Sequence, residues 1–155
     1  MKLINRILAS TSSWAPLALR LPLGIIFAAH GAQKLFGWFG GYGLQGTAGF
    51  MESIGLAPGL LMAALAGAGE FFGGIFILIG FLTRPSAAVL AVTMLVAIVT
   101  VHLDNGLFMS NGGYEFGLAL LAGSLSLMLS GAGRLALDNA LLSHLLMRKP
   151  ALGTA

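Results

Sequence analysis

Four long apolar segments constrain this chain more than any other feature of its sequence. They span residues 14–38, 58–82, 86–103 and 113–131. A transmembrane helix needs about 20 mostly apolar residues, with about 17 as the lower limit. Pro58 and Pro85 stand where two of these helices would begin, at positions where a missing N–H costs no hydrogen bond. The pattern predicts an all-α membrane protein built as a bundle of four transmembrane helices.

The composition points to the same class. Hydrophobic residues make up 57% of the chain and charged residues 8%, against about 25% charged residues in an ordinary globular domain. Eight Lys and Arg and five Asp and Glu are too few to cover the surface of a soluble domain of 155 residues. The chain has no cysteine, which excludes disulfides, thiol redox couples, iron–sulfur clusters and thiolate metal sites.

The basic residues outside the four segments predict the orientation. They are Lys2, Arg6, Arg84, Arg134, Arg148 and Lys149. All six lie in the two tails or in the connection between the second and third segments, and the other two connections contain no Lys or Arg. The positive-inside rule therefore predicts that both termini are cytoplasmic. The net charge of +3 then reflects topology and contact with membrane lipids, and nucleic-acid binding is not expected.

The N-terminal segment has a second interpretation, because Lys2 and Arg6 precede an apolar stretch as they would in a signal peptide. Arg20 interrupts that stretch, so we expect the first helix to remain in the protein. Two helices are expected outside the spans. Residues 47–54 would form a short helix on the outer surface. Residues 134–149 repeat Leu137, Leu141 and Leu145, as in an amphipathic helix on the inner leaflet, with a solvated tail as the alternative.

We expect residues 1–143 to form a single membrane domain and residues 144–155 to be a C-terminal tail. No internal boundary rich in polar residues divides the apolar part of the chain.

Six polar side chains inside the spans are the candidates for function, because a charge at membrane depth costs at least about 2.5 kcal/mol. They are Arg20, His30, Lys34, Glu70, His102 and Glu115. Depths counted from the outer helix ends place Lys34 level with His102 and Glu115. The same count places Glu70 near the middle of the bilayer, between His30 and Arg20.

Helical periodicity places Arg20, Phe27, His30 and Lys34 on one stripe of the first helix, which we expect to face the bundle interior. In the second helix, Gly69 and Gly73 would let a neighbouring helix approach closely enough to neutralise Glu70.

Each candidate also has a structural interpretation. Glu70 could serve only as an internal hydrogen-bonding or ion-pairing group that fixes helix register. Lys34 and Arg20 could extend to the membrane surface instead of facing the interior.

Neither haem nor a metal ion is expected. His30 lies about seven residues deeper than His102, or about 10 Å, so the two cannot ligate one haem. His102, Asp104 and Glu115 lack the tight local spacing of a metal site.

The order of these residues resembles the DoxX family of small four-helix bacterial membrane proteins. The resemblance rests on Arg20-Leu-Pro-Leu-Gly24 followed by His30-Gly-Ala-Gln-Lys34, and on Glu70-Phe-Phe-Gly-Gly74. It continues with His102, with Gly112-Gly-Tyr-Glu115, and with Gly131-Ala-Gly-Arg134 running to Asp138. It implies a multi-pass protein of the bacterial inner membrane.

The resemblance also implies membrane redox chemistry, because relatives are named as small subunits of thiosulfate:quinone oxidoreductase or of a quinol oxidase. It favours a quinone-binding or quinone-associated subunit over a stand-alone catalyst. Arg20, His30 and Lys34 could supply donors to the quinone, Glu70 protons, and Phe27, Phe71 and Phe72 an aromatic wall. Because the chain has no cysteine, electrons would belong to the quinone or to a soluble redox partner.

Two alternatives stay open from the residues. One is a small proton-coupled transporter or channel, which would need a homo-oligomer to form a pore. The other is a membrane scaffold for a soluble oxidoreductase.

Overall fold

The computed structural model describes residues 12–147 together with Leu8 and Ser10. Within these residues the protein is helical and has no strand. Six α-helices follow one another: α1 (Ala15–Phe36), α2 (Gly43–Ser53), α3 (Gly59–Ile79), α4 (Thr83–Ala97), α5 (Glu115–Ser130) and α6 (Leu137–Met147). Helix α4 continues through a π-helical turn at Ile98–His102 and a 3-10 turn at Leu103–Asn105.

All four predicted apolar segments are helices, with ends close to the predicted ones. The helices α1, α3 and α4 with its continuation to Asn105 are long and apolar enough to cross a membrane. The fourth, α5, is an apolar helix of 16 residues. The short helix predicted over residues 47–54 is also present, as α2, and it starts four residues earlier than expected. The basic tail residues Lys2, Arg6, Arg148 and Lys149 lie outside the described residues.

Helix α4 begins three residues earlier than predicted. We expected its start at Ser86, after Pro85, whereas the helix starts at Thr83 and contains the proline in its first turn. A proline is tolerated there because the first N–H groups of a helix have no partner inside it.

Glycines set the closest helix contact, between α1 and α3. A Cβ atom added at Gly31 would lie 2.6 Å from Cα of Phe71, and one added at Gly24 would lie 2.8 Å from the Gly74 carbonyl oxygen. Small residues at such positions allow two backbones to approach without losing van der Waals contact. Gly69 and Gly73, which we expected to admit the partner of Glu70, instead face Val89 and Leu90 of α4.

The helices α1, α3, α4 and α5 surround one apolar core. Its buried members include Leu23, Phe27, Ile77, Leu90, Leu120 and Leu127. Helix α2 lies apart from this core, across the C-terminal end of α1 and the N-terminal end of α3. There Ala48 and Met51 of α2 pack against Ala63 of α3. The first two turns of α3 are therefore covered by α2.

Replacing Gly31 with alanine should destabilise the protein by about 1–3 kcal/mol, because the added methyl group meets the backbone of α3. Gly49→Ala is the matched control, since Gly49 also lies in a helix but has no heavy atom within 4 Å of an added Cβ. That variant should be neutral or more stable by up to about 1 kcal/mol. Thermal unfolding in detergent measures both, and an equal Tm for the two variants would contradict the close α1–α3 contact.

Candidate functional site

A buried ion pair joins α1 to α3. The Nζ atom of Lys34 lies 2.6 Å from Oε2 of Glu70, and this is the one ion pair found in the described part of the chain. The Glu70 side chain is 3% exposed, whereas that of Lys34 is 26% exposed. Glu70 is thus enclosed by protein, while part of Lys34 remains accessible from outside the bundle.

The direction of helical side chains explains how the two residues meet. In a helix each Cα–Cβ bond tilts toward the N-terminus. Because α1 and α3 run antiparallel, Lys34 leans toward the middle of α3 and Glu70 leans toward the C-terminal end of α1. Thr47 of α2 donates a hydrogen bond to the Lys34 carbonyl oxygen at 3.3 Å, which fixes α2 over the end of α1.

The depth count placed Lys34 level with His102 and Glu115, but Lys34 pairs with Glu70 instead. Gly67 of α3 faces Lys34 and Leu35, so the last turn of α1 is level with Gly67 and not with the start of α3. The two preceding turns of α3 extend past α1 and pack on α2. Depth counted from the helix ends therefore placed Glu70 too far from Lys34.

His102 and Glu115 hold the loop that joins α4 to α5. Nδ1 of His102 lies 2.7 Å from the Gly112 carbonyl oxygen, and Oε1 of Glu115 accepts a hydrogen bond from the Met109 N–H at 2.6 Å. Each of the two side chains is thus engaged by backbone of residues 109–112. Neither contributes to the ion pair.

His30 lies one turn before Lys34 on the same face of α1, and its side chain is exposed. Its ring centroid is 6.4 Å from that of Phe116 in α5, a neighbour that the sequence did not indicate. Phe27, one turn further along the stripe, is fully buried in the core. The stripe predicted from periodicity is therefore confirmed at Phe27 and Lys34, while His30 lies at its open edge.

The predicted aromatic wall of Phe71 and Phe72 lies elsewhere. Phe72 follows Glu70 by two residues, which is about 200° around the helix, and it is half exposed. Phe71 packs over Gly31 and against Phe36, with ring centroids 5.2 Å apart. Phe71 therefore lies in the α1–α3 contact itself, and Phe72 lies on an exposed face of α3.

Arg20 is bound at the opposite end of α1 and does not join the cluster. Its side chain is 1% exposed, and its guanidinium donates to five backbone carbonyl oxygens. The acceptors are Ile77, Leu78, Ala132, Arg134 and Leu135, at 2.5 to 3.2 Å. The alternative that Arg20 extends to the membrane surface is thus wrong. Its hydrogen bonds to Ile77 and Leu78 place it about two turns from Glu70 along α3.

Asp138 of α6 is buried beside this arginine. Its carboxylate accepts hydrogen bonds from the N–H groups of Leu82 and Thr83, at 2.7 and 3.0 Å. A carboxylate at a helix N-terminus satisfies unpaired N–H groups and the helix dipole. Asp138 of α6 therefore caps α4, which explains the early start of that helix. The sequence signal was a lone acidic residue near Arg134.

Arg20→Lys should destabilise the protein by more than about 3 kcal/mol, since an ammonium cannot satisfy five buried carbonyl groups. Arg134→Lys is the control at the same end of the bundle, because the Arg134 side chain is exposed and stacks on Trp14. That change should alter stability by less than about 0.5 kcal/mol. Thermal unfolding in detergent measures the stability of both variants. A small effect of Arg20→Lys would contradict the role of Arg20 in binding the five carbonyl groups.

Comparison with known proteins places the chain in a family. The DoxX family model matches residues 15–103, which include α1, the ion pair and His102. A Bacillus subtilis protein named "Putative oxidoreductase CatD" is 40% identical over 122 residues, covering 79% of this chain and 83% of that protein. A Mycobacterium tuberculosis protein named "Uncharacterized membrane protein Rv3486" is 32% identical over 146 residues, covering 88% and 86%. No solved structure matches the chain. The chain is a membrane protein that belongs to the DoxX family.

Proposed function

We propose that this protein is a quinone-binding subunit of a bacterial membrane redox system. It crosses the cytoplasmic membrane four times, with both termini on the cytoplasmic side. The observation that carries the proposal is the Lys34–Glu70 pair, a neutralised charge pair in which Glu70 is buried and the lysine side chain is partly exposed. Ionisable groups at membrane depth are costly and mark functional sites more often than structural ones.

The packing of α5 supports a fourth crossing. Its 16 residues extend about 24 Å at 1.5 Å per residue, and it packs along α4 in the same core as α1 and α3. The inner ends of the helices carry Arg84 and Arg134, whereas the outer helix α2 carries only the acidic Glu52. This asymmetry follows the positive-inside rule.

Single-cysteine variants test the topology, since the chain has no cysteine of its own. Gln45→Cys in α2 and His144→Cys in α6 both place a thiol at an exposed position. In intact cells a membrane-impermeant maleimide should label the first variant at once and the second only after permeabilisation. Labelling of both from outside would contradict the even number of crossings.

The residues around Lys34 fit a quinone head group. A quinone ring needs hydrogen-bond donors for its carbonyl oxygens inside a largely apolar site. The Lys34 ammonium uses one N–H for Glu70 and has two more, and the His30 ring lies one turn away. Phe27 closes the site toward the core, and Phe116 of α5 lies across from His30. Lys34 and His30 would therefore orient the ring, and the apolar surfaces of α1 and α5 would accept its tail.

A bound quinone supplies the electron-transfer chemistry, while the protein binds and orients it. The name of the Bacillus subtilis relative supports a redox role. Electrons would reach or leave the site through a separate redox protein, because this chain carries no thiol that could exchange them.

Quinone binding by the purified protein tests the proposal. Lys34→Met should weaken binding of decylubiquinone or a short-chain menaquinone by about 10- to 100-fold, the effect of losing a charge-assisted hydrogen bond. His30→Ala should weaken it less. His144→Ala is the matched control, since His144 is exposed on α6, away from the ion pair, and should bind as the wild type does. Equal binding by Lys34→Met and the wild type, or no binding by the wild type, would contradict the proposal.

A further inference from the structure

The inward position of the Lys34 side chain needs a cause. Lys34 lies two residues before the end of α1 at Phe36. A lysine so close to a helix end commonly extends its ammonium to the aqueous surface while its methylene groups stay in the apolar layer. Here the ammonium turns the other way, into the bundle, where its hydrogen bond goes to Glu70.

Among the residues that the structure describes, Glu70 is the one carboxylate that pairs with that ammonium. On α1 the titratable and charged groups besides Lys34 are His30, which is exposed, and Arg20, which is bound at the inner end. Helix α2 contributes Glu52, whose Oε1 accepts a hydrogen bond from the Gly59 N–H at 3.3 Å. Between Arg84 and His102, α4 has no titratable side chain, and α5 has only Glu115, which binds Met109.

Each partner holds the other in a position that it would not keep alone. An unpaired carboxylate inside the bundle would lose its solvation without compensation, and removing one member of a buried pair typically costs about 3–5 kcal/mol. A neutral Glu70 avoids that cost for itself but no longer attracts the ammonium. The Lys34 ammonium is then better solvated by water at the outer surface than inside the bundle. Its flexible side chain reaches that surface from this last turn of α1.

We infer that Glu70 is the positioning residue of the quinone site proposed above, and that a proton on its carboxyl group releases Lys34 from the bundle. With Glu70 ionised, the Lys34 ammonium stays inside and presents its remaining N–H groups to the quinone. With Glu70 protonated, the ammonium turns outward and the site loses its main donor. Protonation of Glu70 thus lowers quinone affinity through Lys34.

Chemical labelling of Lys34 measures its position directly. The protein in lipid nanodiscs is treated at one fixed pH with a sulfonated N-hydroxysuccinimide ester, which reacts with amines in water and does not enter lipid. Peptide mass spectrometry then gives the modified fraction of Lys34, normalised to the protein unfolded in detergent. Glu70→Gln replaces the carboxylate with a neutral group of nearly the same shape, so it represents the protonated state without a change of pH.

Lys34 should be labelled at least about tenfold faster in Glu70→Gln than in the wild type, because the ion pair that holds it inside is gone. Glu70→Asp keeps the charge and should restore protection, which a merely space-filling role of Glu70 would not do. In Glu115→Gln, the matched control in the outer loop, Lys34 should be labelled at the same rate as in the wild type. If Glu70→Gln does not fold, Glu70→Met supplies the same neutral, similar-sized replacement. Equal labelling of the wild type and the neutral variant would overturn the inference.

Quinone affinity measured on the same samples separates this inference from the function on which it rests. Glu70→Gln should bind decylubiquinone at least about tenfold more weakly than Glu70→Asp does. If the wild type binds no quinone, the proposed function fails, whereas the labelling result still shows whether Glu70 positions Lys34. If the wild type binds quinone and the neutral variant binds equally well with Lys34 protected, the inference fails and the function stands.

Discussion

The structure depends on the requirement that polar groups inside a membrane protein be satisfied by other protein groups, since lipid offers them no partner. Two charges placed deep in the α1–α3 pair meet this requirement in different ways. Arg20 uses five N–H donors on five backbone carbonyls, and Glu70 uses a lysine from the facing helix. Both solutions need α1 and α3 to lie close together and in one fixed register. The charges therefore specify the pairing of these helices as firmly as the apolar core does.

Close approach of the two backbones is what makes this register possible. Gly24 and Gly31 of α1 face Gly74 and Phe71 of α3 at distances that leave no room for a side chain. Dispersion contacts between helices gain strength when small residues let many atoms meet, and this matters in lipid because burial of apolar surface there gives little driving force. The same glycines bring Lys34 within 2.6 Å of Glu70. Packing and electrostatics thus stabilise one arrangement, and neither would suffice to define the site alone.

The sequence predicted the helices but not how they are aligned with one another. Hydropathy and proline positions gave the four apolar helices to within a few residues, because span length is set by the membrane. The stripe of Arg20, Phe27 and Lys34 also followed from periodicity. Relative depth did not follow, because α3 extends two turns beyond α1 to pack on α2, and no local pattern encodes that offset. For the same reason Asp138 gave no sign of capping α4, since its partners at Leu82 and Thr83 are distant in sequence.

The two ends of the α1–α3 pair differ in a way that bears on function. At the N-terminal end of α1 every guanidinium donor of Arg20 is used, so the group has no capacity left for a ligand and its loss would disturb two segments of backbone. At the C-terminal end of α1 Lys34 forms one hydrogen bond and its side chain stays partly exposed. A fully satisfied buried charge is suited to holding a structure, whereas a partly satisfied one beside an open edge is suited to binding. A basic residue inside the bundle therefore stabilises the fold at Arg20, whereas at Lys34 it is available as a hydrogen-bond donor to a ligand.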